Sequence, residues 1–167
     1  MELKPHLLFM LEAARTNTLQ QLETLTKPEE WFYQPTAGAN HPLWIMGHLA
    51  MADNRFAWRF REATDYKPEG YAELFWIGTS PVSDASLYPA VEEVRNYLDD
   101  RRSNLLSVVE GLTEEEIAAP MPPLEGNHPM NSVPCHGSWL YYAAMHEMVH
   151  AGQLTVCRRG LGQSPLR

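Results

Sequence analysis

Two histidines near the C-terminal end of the sequence have the spacing that metal binding requires. His146 and His150 fall within a segment of helical periodicity, from about 137 to 159, and four residues along a helix return to the same face. With β-carbons about 5–6 Å apart, the two imidazoles can converge on one metal ion. The alternative is two core histidines, each with its own hydrogen-bond partner.

His48 is the third candidate ligand. It lies on an apolar stripe with Trp44, on a helix predicted to begin near Pro42, because proline suits the first turn of a helix. Three neutral imidazoles from two helices can hold a divalent cation and leave coordination positions open to water or substrate. The sequence therefore predicts a metal site at His48, His146 and His150.

The segment 146–150 also matches the H-E-x-x-H motif of zinc proteases. In the common protease families the third ligand lies downstream, but residues 151–167 contain no Asp, Glu or His, and Gln153 stands where the extended motif needs glycine. A protease is therefore disfavoured. Glu147 keeps two interpretations: a general base that borders the site, or a solvated residue on the adjacent helix face.

Several neighbouring side chains are placed to assist the site. Gln153 and Tyr142, each about one turn from the histidine pair, can orient the imidazoles by hydrogen bonding. Arg55, two turns beyond His48, can meet an anionic substrate group or pair with Asp99 or Asp100, and we favour the ion pair.

Four segments with helical periodicity must position these residues. They run from about 2 to 25, from 42 to about 60, from 89 to 110, and from 137 to 159. Between the second and third lies a stretch rich in Pro, Gly and aromatic residues, 64–88, which is predicted to be an ordered crossover. Alternating strand patterns are absent, so we predict an all-α, four-helix bundle with a long crossover between helices two and three, forming one domain over 1–167.

A weak internal repeat supports this arrangement. Residues 25–42 match residues 112–129 at seven of eighteen positions, with a constant offset of 87. Thr26 with Glu29, and Thr113 with Glu116, both have the spacing of a helix capping box. The repeat predicts two helical hairpins, each with a short helix between its two long ones.

Composition excludes several classes of function. The chain has 13 Lys and Arg against 21 Asp and Glu, a net charge of −8, which disfavours nucleic acids and anionic membranes as ligands. No apolar run is long enough to span a bilayer. Cys135 and Cys157 form no disulfide framework, and Cys157 is expected to be a small buried residue rather than a nucleophile. We therefore expect a reduced, soluble, cytoplasmic protein.

Two motifs together resemble those of the DinB/YfiT-like superfamily of helical-bundle metalloproteins. They are Leu43-Trp44-Ile45-Met46-Gly47-His48-Leu49-Ala50 and His146-Glu147-Met148-Val149-His150-Ala151-Gly152-Gln153. The resemblance extends over essentially the whole chain, and its pattern of one histidine and then His-x-x-x-His followed by Gly-Gln is specific.

The resemblance implies more than the residues themselves do. It implies up-down-down-up helix order, zinc or nickel held by His48, His146 and His150, and a thiol-dependent transferase or isomerase that uses bacillithiol, mycothiol or glutathione with a small-molecule substrate. It also implies a homodimer. A non-catalytic metal-binding or ligand-binding stress protein and a metal-dependent hydrolase remain alternatives.

Overall fold

The chain folds into helices connected by loops and short 3-10 turns. The computed structural model describes residues 2–123, 126 and 129–166, and it has no β-strands within them. The helices are α1 (Lys4–Leu22), α2 (Pro42–Trp58), α3 (Tyr71–Phe75), α4 (Val91–Gly111), α5 (Glu114–Ala118) and α6 (His136–Gly160). The predicted all-α fold is confirmed, and the four predicted helices correspond to α1, α2, α4 and α6. None of the helices in the described part combines the length and apolar character that crossing a membrane needs.

Two apolar clusters fix the directions of the long helices. One cluster joins the end of α1 and the start of α2, through Leu22 and Leu43, to the start of α4 and the end of α6. The other joins the opposite ends of the same four helices, with Leu11 from α1 and Phe56 from α2 among its members. Helices α1 and α6 therefore run in one direction, and α2 and α4 run in the other. This is the up-down-down-up order that the resemblance implied.

The long crossover between α2 and α4 is a consequence of that order. Since α2 and α4 are parallel neighbours, the chain must return along the length of the bundle before α4 begins. The return contains α3, whose Tyr71 and Phe75 are buried in the core, while Tyr66 stays largely exposed. The predicted ordered crossover is thus packed against the bundle through α3.

The short helices of the predicted repeat are present, with one correction. Thr113 and Glu116 form the predicted capping box at the start of α5. In the first hairpin the 3-10 turn Pro28–Phe32 begins one residue later than predicted, and Glu30, not Glu29, accepts from the backbone N–H groups of Thr26 and Lys27. Part of the second half of the repeat, Asn127 and His128, lies outside the described residues.

His41 caps the helix that carries His48. Its Nδ1 accepts from the backbone N–H of Trp44, 3.1 Å away. The imidazole is thus the N-cap group, a role that Asn, Asp or Ser usually has. The ring is fully buried, and burial lowers the pKa of His41 from 6.5 to about 4. The capped form is the neutral one, since only an unprotonated Nδ1 can accept.

We expect His41 to make the fold sensitive to acid. The folded pKa is lower than the unfolded one, so the folded state binds fewer protons and its stability declines as the pH falls below 6.5. Between pH 7 and pH 4.5 the resulting loss in the free energy of unfolding is about 2–3 kcal/mol. The His41→Asn variant keeps a good capping residue without the titration, so urea unfolding should show a smaller loss of stability over that range. Equal losses in both proteins would contradict this role.

Candidate metal centre

The three histidines predicted from the sequence meet in the structure. The Nε2 atom of His146 lies 3.2 Å from the Nε2 of His48 and 3.2 Å from the Nε2 of His150. One nitrogen from each ring lies within 4.8 Å of the other two, an arrangement that could hold a metal ion. Helix α2 provides His48, and α6 provides the other two from adjacent turns of one face.

Hydrogen bonds at Nδ1, the ring nitrogen that faces away from the site, orient two of the three imidazoles. The Nδ1–H of His48 donates to the backbone carbonyl of Phe75 at 2.8 Å, and the Nδ1–H of His150 donates to Oε1 of Gln153 at 3.0 Å. The Asn40 amide donates to the same Gln153 oxygen at 3.0 Å and fixes the amide orientation. A neutral imidazole carries one N–H, so both rings turn the lone pair of Nε2 toward His146.

His146 shows that the residues fit a cation. Its Nδ1 is buried without a hydrogen-bond partner among the described residues. If His146 carries its proton on Nδ1, that N–H has no acceptor in the described part of the chain. If it carries the proton on Nε2, that N–H can bond to only one of the two Nε2 lone pairs, of His48 and His150, that face it. A divalent cation between the three nitrogens would use all three lone pairs, and imidazole nitrogen is a preferred ligand of zinc and nickel.

The surroundings keep the three imidazoles neutral. Burial lowers the pKa of His48 to about 4 and that of His146 to about 3, and it lowers the pKa of His150 as well. The Trp44 ring stacks on His48 with 4.7 Å between centroids, which covers one face of that ligand. Metal ions bind neutral imidazole, so protons do not compete for these nitrogens at neutral pH.

A cavity opens beside the histidines. Its volume is about 520 Å³, and its wall includes His48 and His146. Aromatic side chains make up much of the remaining lining, namely Phe56, Trp76, Trp139 and Tyr142. The site thus combines possible metal ligands with an apolar space large enough for a small molecule.

Close packing of α3 against α2 places the carbonyl that orients His48. A β-carbon on Gly47 would lie 2.5 Å from the buried ring of Phe75, so only glycine allows this approach. We expect Gly47→Ala to lower the free energy of unfolding by about 1–3 kcal/mol through overpacking, and to weaken metal binding roughly 10–100-fold by displacing the Phe75 carbonyl. Gly152→Ala is the matched control, because a β-carbon there meets nothing within 4 Å. Similar metal affinities for both variants in a competition titration would contradict the role of Gly47.

The structure buries Glu147 between two arginines. Its side chain is 1% exposed, so the solvated alternative is wrong. One carboxylate oxygen accepts from Arg15 Nε at 2.7 Å, and the other accepts from the Arg102 guanidinium. Both arginines also bind Asp53, with N···O distances of 2.9 Å. The general-base role stays a prediction that this geometry disfavours, because both oxygens already face arginines.

These four residues form a buried ion network, with one member from each long helix. Burial would raise the pKa of the Glu147 carboxyl, but the charges of Arg15 and Arg102 outweigh it and hold that pKa below its ordinary value. The network was not predicted from the sequence, although the sequence contains a signal for it. Arg102, for example, falls between Leu98 and Leu105 on the apolar stripe of α4, where a charged side chain must be buried.

The remaining sequence-predicted residues lie in different settings. The Tyr142 ring lies against His146, with 6.3 Å between centroids, and makes no hydrogen bond to it. Arg55 belongs to none of the ion pairs in the described part of the chain, so the favoured pairing with an aspartate is wrong; it lines the cavity instead. Cys157 is buried, and burial raises the pKa of its thiol to about 11.

Fold and site together define a class: a four-helix bundle with a three-histidine group able to hold a metal ion beside an apolar cavity. The family model of the DinB superfamily matches residues 10–154, and the chain belongs to this superfamily. Searches of curated proteins and of solved structures each found no match to the chain.

Proposed function

We propose that this protein is a metal-dependent transferase that joins a low-molecular-weight thiol to a small electrophilic molecule. His48, His146 and His150 would hold one zinc or nickel ion. The observation that carries the proposal is the convergence of three neutral imidazole nitrogens at the wall of an open cavity. A purely structural metal site is more often closed by four protein ligands.

The donor set suits thiol chemistry. Three neutral ligands leave the full charge of a divalent cation, which when bound would deprotonate a coordinating thiol and so supply the nucleophile. In the transfer, sulfur forms a bond to the electrophilic carbon, the thiol proton goes to solvent, and the leaving group departs with its electron pair.

The chain's own residues would prepare this reaction in two ways. The Phe75 carbonyl and the Gln153 amide hold His48 and His150 in a fixed orientation, which limits reorganisation when substrate binds. Aromatic walls such as Trp139 offer apolar surface to a bound molecule, which favours an apolar electrophile.

Turnover assays can test the proposal directly. Protein reconstituted with zinc or nickel should consume chlorodinitrobenzene only when a thiol such as glutathione or cysteine is present, and His150→Ala should lose this activity. Consumption of ester substrates without thiol would instead indicate a hydrolase. Metal binding without turnover across a panel of thiols and electrophiles would favour a non-catalytic binding protein.

Homodimer formation and a cytoplasmic location also remain proposals. Helices α1 and α6 share an apolar face that is substantially exposed, and exposed apolar patches of this kind often mark protein contacts. Its most prominent members are Phe9, Tyr141, Met145, Met148 and Val149. A monomeric mass in light scattering would contradict the dimer.

A further inference from the structure

Two cavities share part of their wall, and one of them borders the three-histidine site. The apolar lobe is the cavity of about 520 Å³ that contains His48 and His146 in its wall. The polar lobe has a volume of about 340 Å³ and is lined partly by Asn54 and Lys67. Arg55 and Trp76 belong to the walls of both lobes, so a molecule that extends from one lobe into the other passes Arg55.

Arg55 is a cation without an anionic partner in the described part of the chain. Its side chain makes no hydrogen bond or ion pair there, whereas the buried Arg15 and Arg102 each contact two carboxylates. Its guanidinium lies over the Trp58 ring, 4.7 Å from the centroid. Stacking of this kind supports the guanidinium and leaves its in-plane N–H groups free to bind an acceptor.

The polar lobe keeps this positive charge uncompensated. Asp65 is the one carboxylate among the described residues that line it; it accepts from the Asn54 amide at 2.6 Å and pairs with Lys67 at 3.0 Å. The charges of Asp65 and Lys67 therefore cancel locally, and the charge of Arg55 remains. A guanidinium is suited to bidentate binding of a carboxylate, and such charge-assisted hydrogen bonds are strong.

We propose that Arg55 binds a carboxylate of the substrate and makes the site specific for small carboxylate-bearing molecules. The carboxylate lies at the boundary of the two lobes, and the apolar body of the molecule extends toward the three histidines. This inference rests on the proposed function, because it names a substrate class for the same site. The carboxylate belongs either to the thiol or to the electrophile, and the chemistry at Arg55 is the same.

Paired probes separate these two sources. Titration calorimetry would compare phenylbutyrate with phenylbutanol for the electrophile, and mercaptopropionate with mercaptopropanol on zinc-loaded protein for the thiol. We expect the carboxylate of at least one pair to bind about tenfold or more tightly than its alcohol. The pair that shows the preference identifies the source.

Variants then assign the preference to Arg55. Arg55→Gln should abolish it and Arg55→Lys should retain part of it, because lysine keeps the charge without the planar fork. Arg95→Gln is the matched control: Arg95 also lies over a tryptophan, 5.8 Å from the centroid of Trp31, but lines neither lobe. We expect Arg95→Gln to keep the full preference.

Two results would overturn the inference: carboxylate and alcohol binding equally in both pairs, or a preference that persists in Arg55→Gln. Neither result touches the proposed function, which depends on metal content and on thiol-dependent turnover. The phenylbutyrate comparison needs no bound metal, so it also tests Arg55 in protein that fails to load zinc.

Discussion

Glu147→Gln is expected to lower the free energy of unfolding by about 3–5 kcal/mol, the largest effect we predict for a single substitution. Glutamine has nearly the shape of glutamate but lacks its charge. Arg15 and Arg102 would then share only Asp53, and the network would carry an uncompensated positive charge inside the bundle. Urea unfolding followed by circular dichroism measures the change.

Asp100→Asn provides the matched control for this prediction. Asp100 also pairs with an arginine, Arg101, but its side chain is 57% exposed, so water screens the interaction. We expect that substitution to change stability by less than about 1 kcal/mol. If both variants lost equal stability, the burial of the network would not be the reason for the effect.

Glu147→Gln also separates the structural role of Glu147 from the general-base role that was considered from the sequence. If Glu147 acts as a general base, the substitution should lower activity and leave stability and metal content nearly unchanged. If Glu147 acts only through the ion network, the substitution should lower stability, and activity should fall only where the variant unfolds. Activity measured well below the unfolding temperature should therefore stay close to that of the original protein.

Loss of a histidine ligand is the second large effect that we expect. The protein should bind about one divalent ion per chain, and His146→Ala should bind almost none, because two imidazoles from different helices hold a cation far less firmly than three. Elemental analysis after reconstitution and dialysis measures the ratio. His48→Ala and His150→Ala should behave alike, because the three nitrogens form one group.

Metal binding should also raise the free energy of unfolding. An ion that binds only the folded state adds about 4 kcal/mol when its free concentration is a thousand times the dissociation constant. Zinc or nickel should raise the unfolding midpoint of the original protein and leave that of His146→Ala unchanged. His136→Ala is the control, since His136 contacts the Glu116 carbonyl and lies outside the group. Full metal content in His146→Ala would disprove the site.

The sequence by itself determined the long helices and the candidate ligands. Helical periodicity is a local property, and the pattern of buried residues in α2 and α6 could be read within each segment. The four-residue spacing of His146 and His150 fixes their shared face wherever α6 packs. The long crossover between helices two and three was also accessible from composition, because it is too long for a hairpin turn, whereas the parallel placement of α2 and α4 was implied only by the family resemblance.

Only the tertiary structure decided how these residues are used. The partners of Glu147 come from α1 and α4, up to 132 positions away, and no local pattern shows which buried charges will meet. The carbonyl that orients His48 belongs to the backbone of Phe75, and a backbone group leaves no signature in residue types. Arg55 was expected to pair with an aspartate, yet it borders two cavities, because the packing of the crossover created a space that the sequence does not encode locally.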